Sequence, residues 1–281
     1  MAAYRSRRDV RWAAIVWATV LSLAVVVLAS AWLRLGPPGP HCDTWPTCRA
    51  LDISGSTLTM PPDVARFAGP RTIHRVAASG ALVLVLGLVA LSIGGRSRRR
   101  HERRSALVLL GLALGLAVLG VAAGASRSPA VVLGNLLGGF TMFTLAWGLA
   151  LDVVVQDHMR PLRVARATAV LWLLQVMFGG LAGLGNSFGV ALLHVVLAPV
   201  VVIMAVVASA AARHSGRRGE GNALLLVVCA QIVLGVAGWQ LAAAAELVHL
   251  HNAGAASGLA LLWGLSREVG PVRGECSRRI S

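Results

Sequence analysis

Eight runs of about 20 apolar residues, separated by short stretches rich in arginine, glycine or proline, constrain this chain more than any other feature. A run of that length crosses the hydrocarbon core of a bilayer as a helix. Lipid leaves a spanning backbone little choice, because every N–H and C=O must be satisfied within the protein. The runs cover about 12–33, 72–94, 106–125, 131–153, 166–185, 189–212, 223–244 and 247–266. Of the 281 residues, 57% are hydrophobic and 13% are charged, against about 25% charged in a soluble domain. The pattern predicts an all-α, polytopic membrane protein with eight transmembrane helices. The first run is too long for the apolar region of a cleaved signal peptide and lacks a small-residue cleavage site, so it is read as the first span.

The formal net charge of +15 comes from arginine alone, since the sequence has no lysine. A basic excess of this size suits nucleic acid in a soluble protein. Here the arginines sit in short connections between apolar runs, which is a topology signal, and no nucleic-acid partner is expected. Residues 1–11, the stretches 95–105, 154–166 and 213–222, and the tail 267–281 are all basic. Every second connection is thus basic, which places both termini in the cytoplasm and the chain in the plasma membrane. The first outer loop, 34–71, is long and rich in proline and glycine, so irregular structure is expected there. The domain reading follows: a cytoplasmic N-terminus (1–11), an N-terminal four-helix bundle (12–153), a cytoplasmic linker (154–165), a C-terminal four-helix bundle (166–266) and a cytoplasmic tail (267–281).

The two halves look related. Span 3 carries Leu119-Gly-Val-Ala122 and span 7 carries Leu234-Gly-Val-Ala237, while spans 2 and 6 open with His74 and His194. Two pseudo-repeated four-helix bundles are therefore expected. Each even span carries a polar side chain in its first turns: His74, Asn135, His194, and His249 with His251. Ionisable groups inside a membrane segment mark functional sites by default.

Histidines at matched depth on facing helices suit a haem held by two axial imidazoles. Each polar position has a small residue one turn on, Ala78, Gly139, Ala198 and Ala253, where a porphyrin edge would need room, although small residues are common at packed membrane interfaces anyway. His249 and His251 lie about 200° apart on a helix, so only one faces inward. Counting from the Leu-Gly-Val-Ala copies favours His249 as the partner of His194, with His251 as the alternative. Structural or catalytic zinc would call for clustered Cys, His or carboxylate, and the spans carry few carboxylates.

The outer loop contains His41-Cys-Asp-Thr-Trp-Pro-Thr-Cys48. Two cysteines around a Trp-Pro turn on the oxidising side are expected to form a disulfide, Cys42–Cys48. Cys229, within span 7, is expected in the core. The stretch Arg34-Leu-Gly…Cys42–Cys48, the motif His74-Arg75-Val-Ala-Ala-Ser-Gly80 and Gln231-Ile-Val-Leu-Gly235 together resemble the haem A synthase family across about residues 12–266. The resemblance implies a membrane oxidoreductase that converts haem O to haem A for cytochrome oxidase assembly. The reaction takes a haem methyl group to a formyl group, with the oxygen coming from water. It implies a haem b cofactor in the C-terminal half, at His194 and His249, and a substrate haem O in the N-terminal half, beside His74. Candidate partners are haem O and haem A, haem O synthase, an electron donor, the lipid bilayer and further copies of the chain.

The departures from that family lie in the first half. Its catalytic glutamate three residues before the span-2 histidine is Arg71 here, its span-4 histidine is Asn135, and its span-3 glutamine is Leu116. A guanidinium cannot act as a base at physiological pH, so the catalytic residue is unassigned; Asp63 in the outer loop is the nearest carboxylate. Arg71 and Arg75 flank His74 and suit haem propionates, or anchor the helix at the interface. A haem-binding or electron-transfer protein, or a haem chaperone, is the alternative reading.

Overall fold

A computed structural model describes residues 7–35, 68–93, 100–123, 128–154, 159–185, 187–241 and 245–268. Eight helices account for nearly all of them: α1 (Arg7–Leu35), α2 (Ala68–Ser92), α3 (Arg100–Ala123), α4 (Pro129–Val154), α5 (Arg163–Ala182), α6 (Phe188–His214), α7 (Arg218–Gln240) and α8 (Ala245–Ser266). No strand occurs among the described residues. Each helix matches one predicted run to within a few residues, and most extend past it into the basic ends. Cys42, Cys48, Asp63, His41 and His158 lie outside the described residues.

Seven of these helices, α1 to α7, are long and apolar enough to cross a membrane. α8 has the length, 22 residues, but His249, His251 and Asn252 lower its apolarity. Its surroundings explain why that is tolerated. α8 packs against α1, α4, α5 and α7, and Ala255, Ala256, Leu259, Ala260, Leu262 and Leu265 on it are all buried. A helix shielded by protein need not be apolar on every face. The outer helices are the reverse case. Val121 and Phe188 are 86% and 84% exposed, and apolar surface of that extent belongs in lipid.

The helices form two rings of four. α1 packs on α2, α2 on α3, α3 on α4 and α4 on α1; α5 to α8 close in the same order. Between the rings, α4 meets α8, α1 meets α8, and α4 meets α5. This set of neighbours is unchanged when α1–α4 are exchanged for α5–α8. One core holds Trp12, Val16, Val85, Leu109 and Leu149. The other is centred on Trp172, Ala205, Leu224 and Leu262, and reaches across to Val27, Leu136 and Phe140.

The C-terminal end of α8 is tied down at its carbonyls, which no intrahelical donor satisfies. Arg217 donates to the Gly264 carbonyl at 3.0 Å, and the Leu162 N–H donates to that of Leu265 at 2.9 Å. Just beyond, Arg267 grips both carboxylate oxygens of Asp152 on α4 at 2.7 Å. Gly216, at φ 85, makes the tight turn from α6 to α7.

Candidate functional site: two imidazoles in the C-terminal bundle

His194 is set by its contacts with α5. Gln175 Nε2 donates to the His194 carbonyl at 2.9 Å, and His194 Nδ1 lies 3.1 Å from the Gln175 carbonyl. A carbonyl can only accept, so Nδ1 carries the proton and Nε2 keeps its lone pair. That is the arrangement of a metal-ligating histidine, whose other ring nitrogen is held by a backbone carbonyl. The close approach depends on Gly179, where a Cβ would stand 2.8 Å from His194 Cε1.

His251, on α8, faces the same space. It lies near the backbone carbonyl of Gln231 on α7 and within electrostatic reach of His194. Gly235 leaves room for its ring, since a Cβ there would lie 3.4 Å from His251 Cε1. The Gln231 side chain runs against Gly254, where a Cβ would meet Oε1 at 2.5 Å. The Oε1 atoms of Gln175 and Gln231 are buried with no hydrogen-bond partner among the described residues.

His249 points elsewhere. It is 8% exposed and meets Trp32 of α1 edge to face, with ring centroids 4.2 Å apart. Asn252 shares that face and accepts a hydrogen bond from Arg34 Nη2 at 3.0 Å. Of the two, it is His251 that the structure brings within reach of His194.

The glycine contacts of the two bundles can be compared. In the N-terminal bundle Leu116 of α3 packs on Gly138 of α4; in the C-terminal bundle Gln231 of α7 packs on Gly254 of α8. Equating the two glycines aligns Asn135 with His251, since each lies three residues earlier. The same register aligns Leu133 and Leu136 with His249 and Asn252. The seam between the halves agrees, because Leu133 and Leu136 face Gly180 of α5 as His249 and Asn252 face Trp32 and Arg34 of α1. The interval from Leu-Gly-Val-Ala is 16 residues to Asn135, 15 to His249 and 17 to His251, so the two histidines stand equally far from it.

The N-terminal bundle differs in chemistry. His74 is half-buried on α2, within electrostatic reach of Arg34 and Arg75. Asn135 is half-buried on α4, and Arg71 and Arg75 are half-buried beside His74. Leu116 and Leu119 fill the faces of Gly138 and Gly134, so apolar groups stand where the C-terminal half has Gln231. Cys229, expected in the core, is exposed on α7, because an all-apolar run does not reveal which face meets lipid. Gln175, Trp32 and Gly179 were not singled out in the sequence; Gln175 alone left a signal, as a polar side chain within a span.

No group of three or more His, Cys, Asp or Glu side chains gathers among the described residues. No protein-family model matches the chain, and no curated protein matches it.

Proposed function

We propose that the chain is a membrane haem protein of the haem A synthase type, converting haem O to haem A, with a b-type haem between His194 and His251. The observation that carries this reading is the contact of His194 Nδ1 with the Gln175 carbonyl, which leaves Nε2 to act as a ligand, opposite a second imidazole on the facing helix. Two histidines suffice for a haem with axial imidazoles. The bound haem would supply one-electron transfer. Gln175 orients His194, and the Gln231 carbonyl lies beside the His251 ring. Gly179, Gly235 and Gly254 keep side-chain bulk away from the imidazoles and Gln231. In the other half, His74 would ligate or position haem O, with Arg71 and Arg75 offering guanidinium groups to its propionates.

A second reading has its own support. Arg71 stands where the resemblance calls for a glutamate, and Leu116 packs on Gly138 where it calls for a glutamine. These favour a protein that binds haem for electron transfer or delivery without making haem A.

Both are tested by expressing the full chain with a source of haem O, recording a reduced-minus-oxidised spectrum and extracting the haem. The expected results are an α-band, its loss in His194→Ala and in His251→Ala, its retention in His249→Ala, and haem A in the extract. Haem b without haem A or its hydroxylated precursor decides for the second reading. Well-folded protein with no α-band sinks both, and loss of the band in His249→Ala but not in His251→Ala reverses the ligand assignment.

A further inference from the structure

The seam between the two halves holds a guanidinium with no acidic partner among the described residues. Arg34, at the end of α1, hydrogen-bonds Ser30 Oγ at 3.1 Å and Asn252 Oδ1 at 3.0 Å, both neutral. Its side chain is half-buried. His74 lies within electrostatic reach, and it is no anion. Asp152 with Arg267, and Glu220 with Arg217, pair at the other end of the helices. A guanidinium has five N–H donors, and one withdrawn from water without a counter-charge is unfavourable.

Along α8 from Asn252 is a cavity of about 120 Å³ between α1, α4 and α8, lined by Val27, Leu28, Phe143, Ala253, Ala256 and Ser257. Ala253 and Ala256 follow Asn252, the residue Arg34 holds, so the cation lies toward the outer end of the cavity. Leu28 is 45% exposed, so the cavity opens sideways toward lipid. An apolar cavity of about 150 Å³ takes a guest the size of benzene. The space therefore suits a short run of hydrocarbon chain and is too small for a macrocycle. Arg34 also ends the apolar segment Asp9–Arg34, which places it at headgroup depth.

We propose that this seam binds one anionic phospholipid, its phosphate on Arg34 and part of one acyl chain in the cavity between α1 and α8. The site is separate from the imidazole pair and does not rest on the haem reading. Arginine suits phosphate because two of its N–H groups can be donated in parallel.

The test is native mass spectrometry of the full, delipidated chain in detergent. Phosphatidylglycerol and phosphatidylcholine of the same acyl chains are added at equal concentration, with oleate in a separate arm. Phosphatidylglycerol should be retained about tenfold over phosphatidylcholine, whose choline ammonium already neutralises its phosphate; that is the size of effect a charge-assisted hydrogen bond gives. Arg34→Gln should abolish that preference, and Arg163→Gln, exposed at the far end, should leave it intact. Ser257→Leu, which fills the cavity without touching the charge, should lower phosphatidylglycerol retention. It decides the matter if Arg34→Gln does not fold. Equal retention of the two phospholipids, an unchanged preference in Arg34→Gln, an unchanged retention in Ser257→Leu, or displacement of phosphatidylglycerol by oleate overturns the proposal.

Discussion

Gly179→Ala puts the geometry of the imidazole pair under direct load. The added Cβ would stand 2.8 Å from His194 Cε1 and 3.1 Å from Nδ1, against about 3.5–4.0 Å at optimal carbon–carbon separation. The ring must withdraw by roughly 0.7 Å or more to restore that separation. The helices cannot part to make room without breaking the reciprocal Gln175–His194 bonds, which stand at 2.9 and 3.1 Å. Overpacking of this kind destabilises by about 1–3 kcal/mol, and replacing a helical glycine with alanine returns roughly 0.5–1 kcal/mol. A net loss of about 1–2 kcal/mol is expected. Gly238→Ala in α7, where nothing lies within 4 Å of the new Cβ, carries only the favourable part and should gain roughly 0.5–1 kcal/mol.

Equilibrium unfolding in micelles measures both variants, and haem titration measures the site. Withdrawal of the ring lengthens the Nδ1 contact past hydrogen-bonding distance. Loss of such an outer partner weakens metal binding about 10–100-fold. If Gly179→Ala stabilises as Gly238→Ala does, the packing of His194 on α5 is not as described. If stability falls while haem affinity stays the same, His194 is a packing residue and not a ligand.

Trp172→Phe removes the buried hydrogen bond from Nε1 to the Ala255 carbonyl, 2.8 Å long, and part of the ring that lies on Gly258. Such bonds between membrane helices are worth about 0.6–2 kcal/mol, so a loss of about 2 kcal/mol including the lost packing is expected in the same unfolding assay, with the haem spectrum unchanged. Asp152→Asn breaks the two-pronged grip of Arg267, a pair with side chains 20% and 13% exposed. Because both side chains keep some contact with solvent, a loss of about 1–2 kcal/mol is expected rather than that of a fully buried pair. A change under about 0.5 kcal/mol would mean that this contact does not join α4 to α8 in the folded protein.

The helices were legible because apolar length is written directly in the sequence. The polar residues of the even helices were legible because each stands out against an apolar background. What was lost was azimuth. In a soluble helix the polar face marks solvent, but here lipid-facing and core-facing residues are equally apolar. So Cys229 gave no sign that it is exposed, and Leu116 none that it packs on Gly138. The sequence left His249 and His251 hard to separate for a related reason, since they stand 15 and 17 residues after Leu234, equally far from the 16 between Leu119 and Asn135. The Arg34–Asn252 bond joins residues 218 apart, and no local pattern encodes it.

The polar stretch of α8 makes sense once its three directions are separated. His251 faces α6 and α7 inside the C-terminal bundle, while His249 and Asn252 face Trp32 and Arg34 across the seam. Three residues of one helix thus serve two interfaces, which their angular spacing permits: 249 and 252 lie about 60° apart, and 251 points away from both. At the matching positions α4 has Leu133 and Leu136 against Gly180, a dry contact, and Asn135 in place of the imidazole. Both seams close the same ring geometry, yet only the one at α8 is polar. The fold alone therefore does not require His249, Asn252 and Arg34 to be polar, since the leucines and Gly180 do the same packing. The demand for polarity comes from what lies on either side of α8: the imidazole pair in one bundle, and the cation beside His74 in the other. The same turn of α8 touches both, so it is the place where a change at one site would be felt at the other.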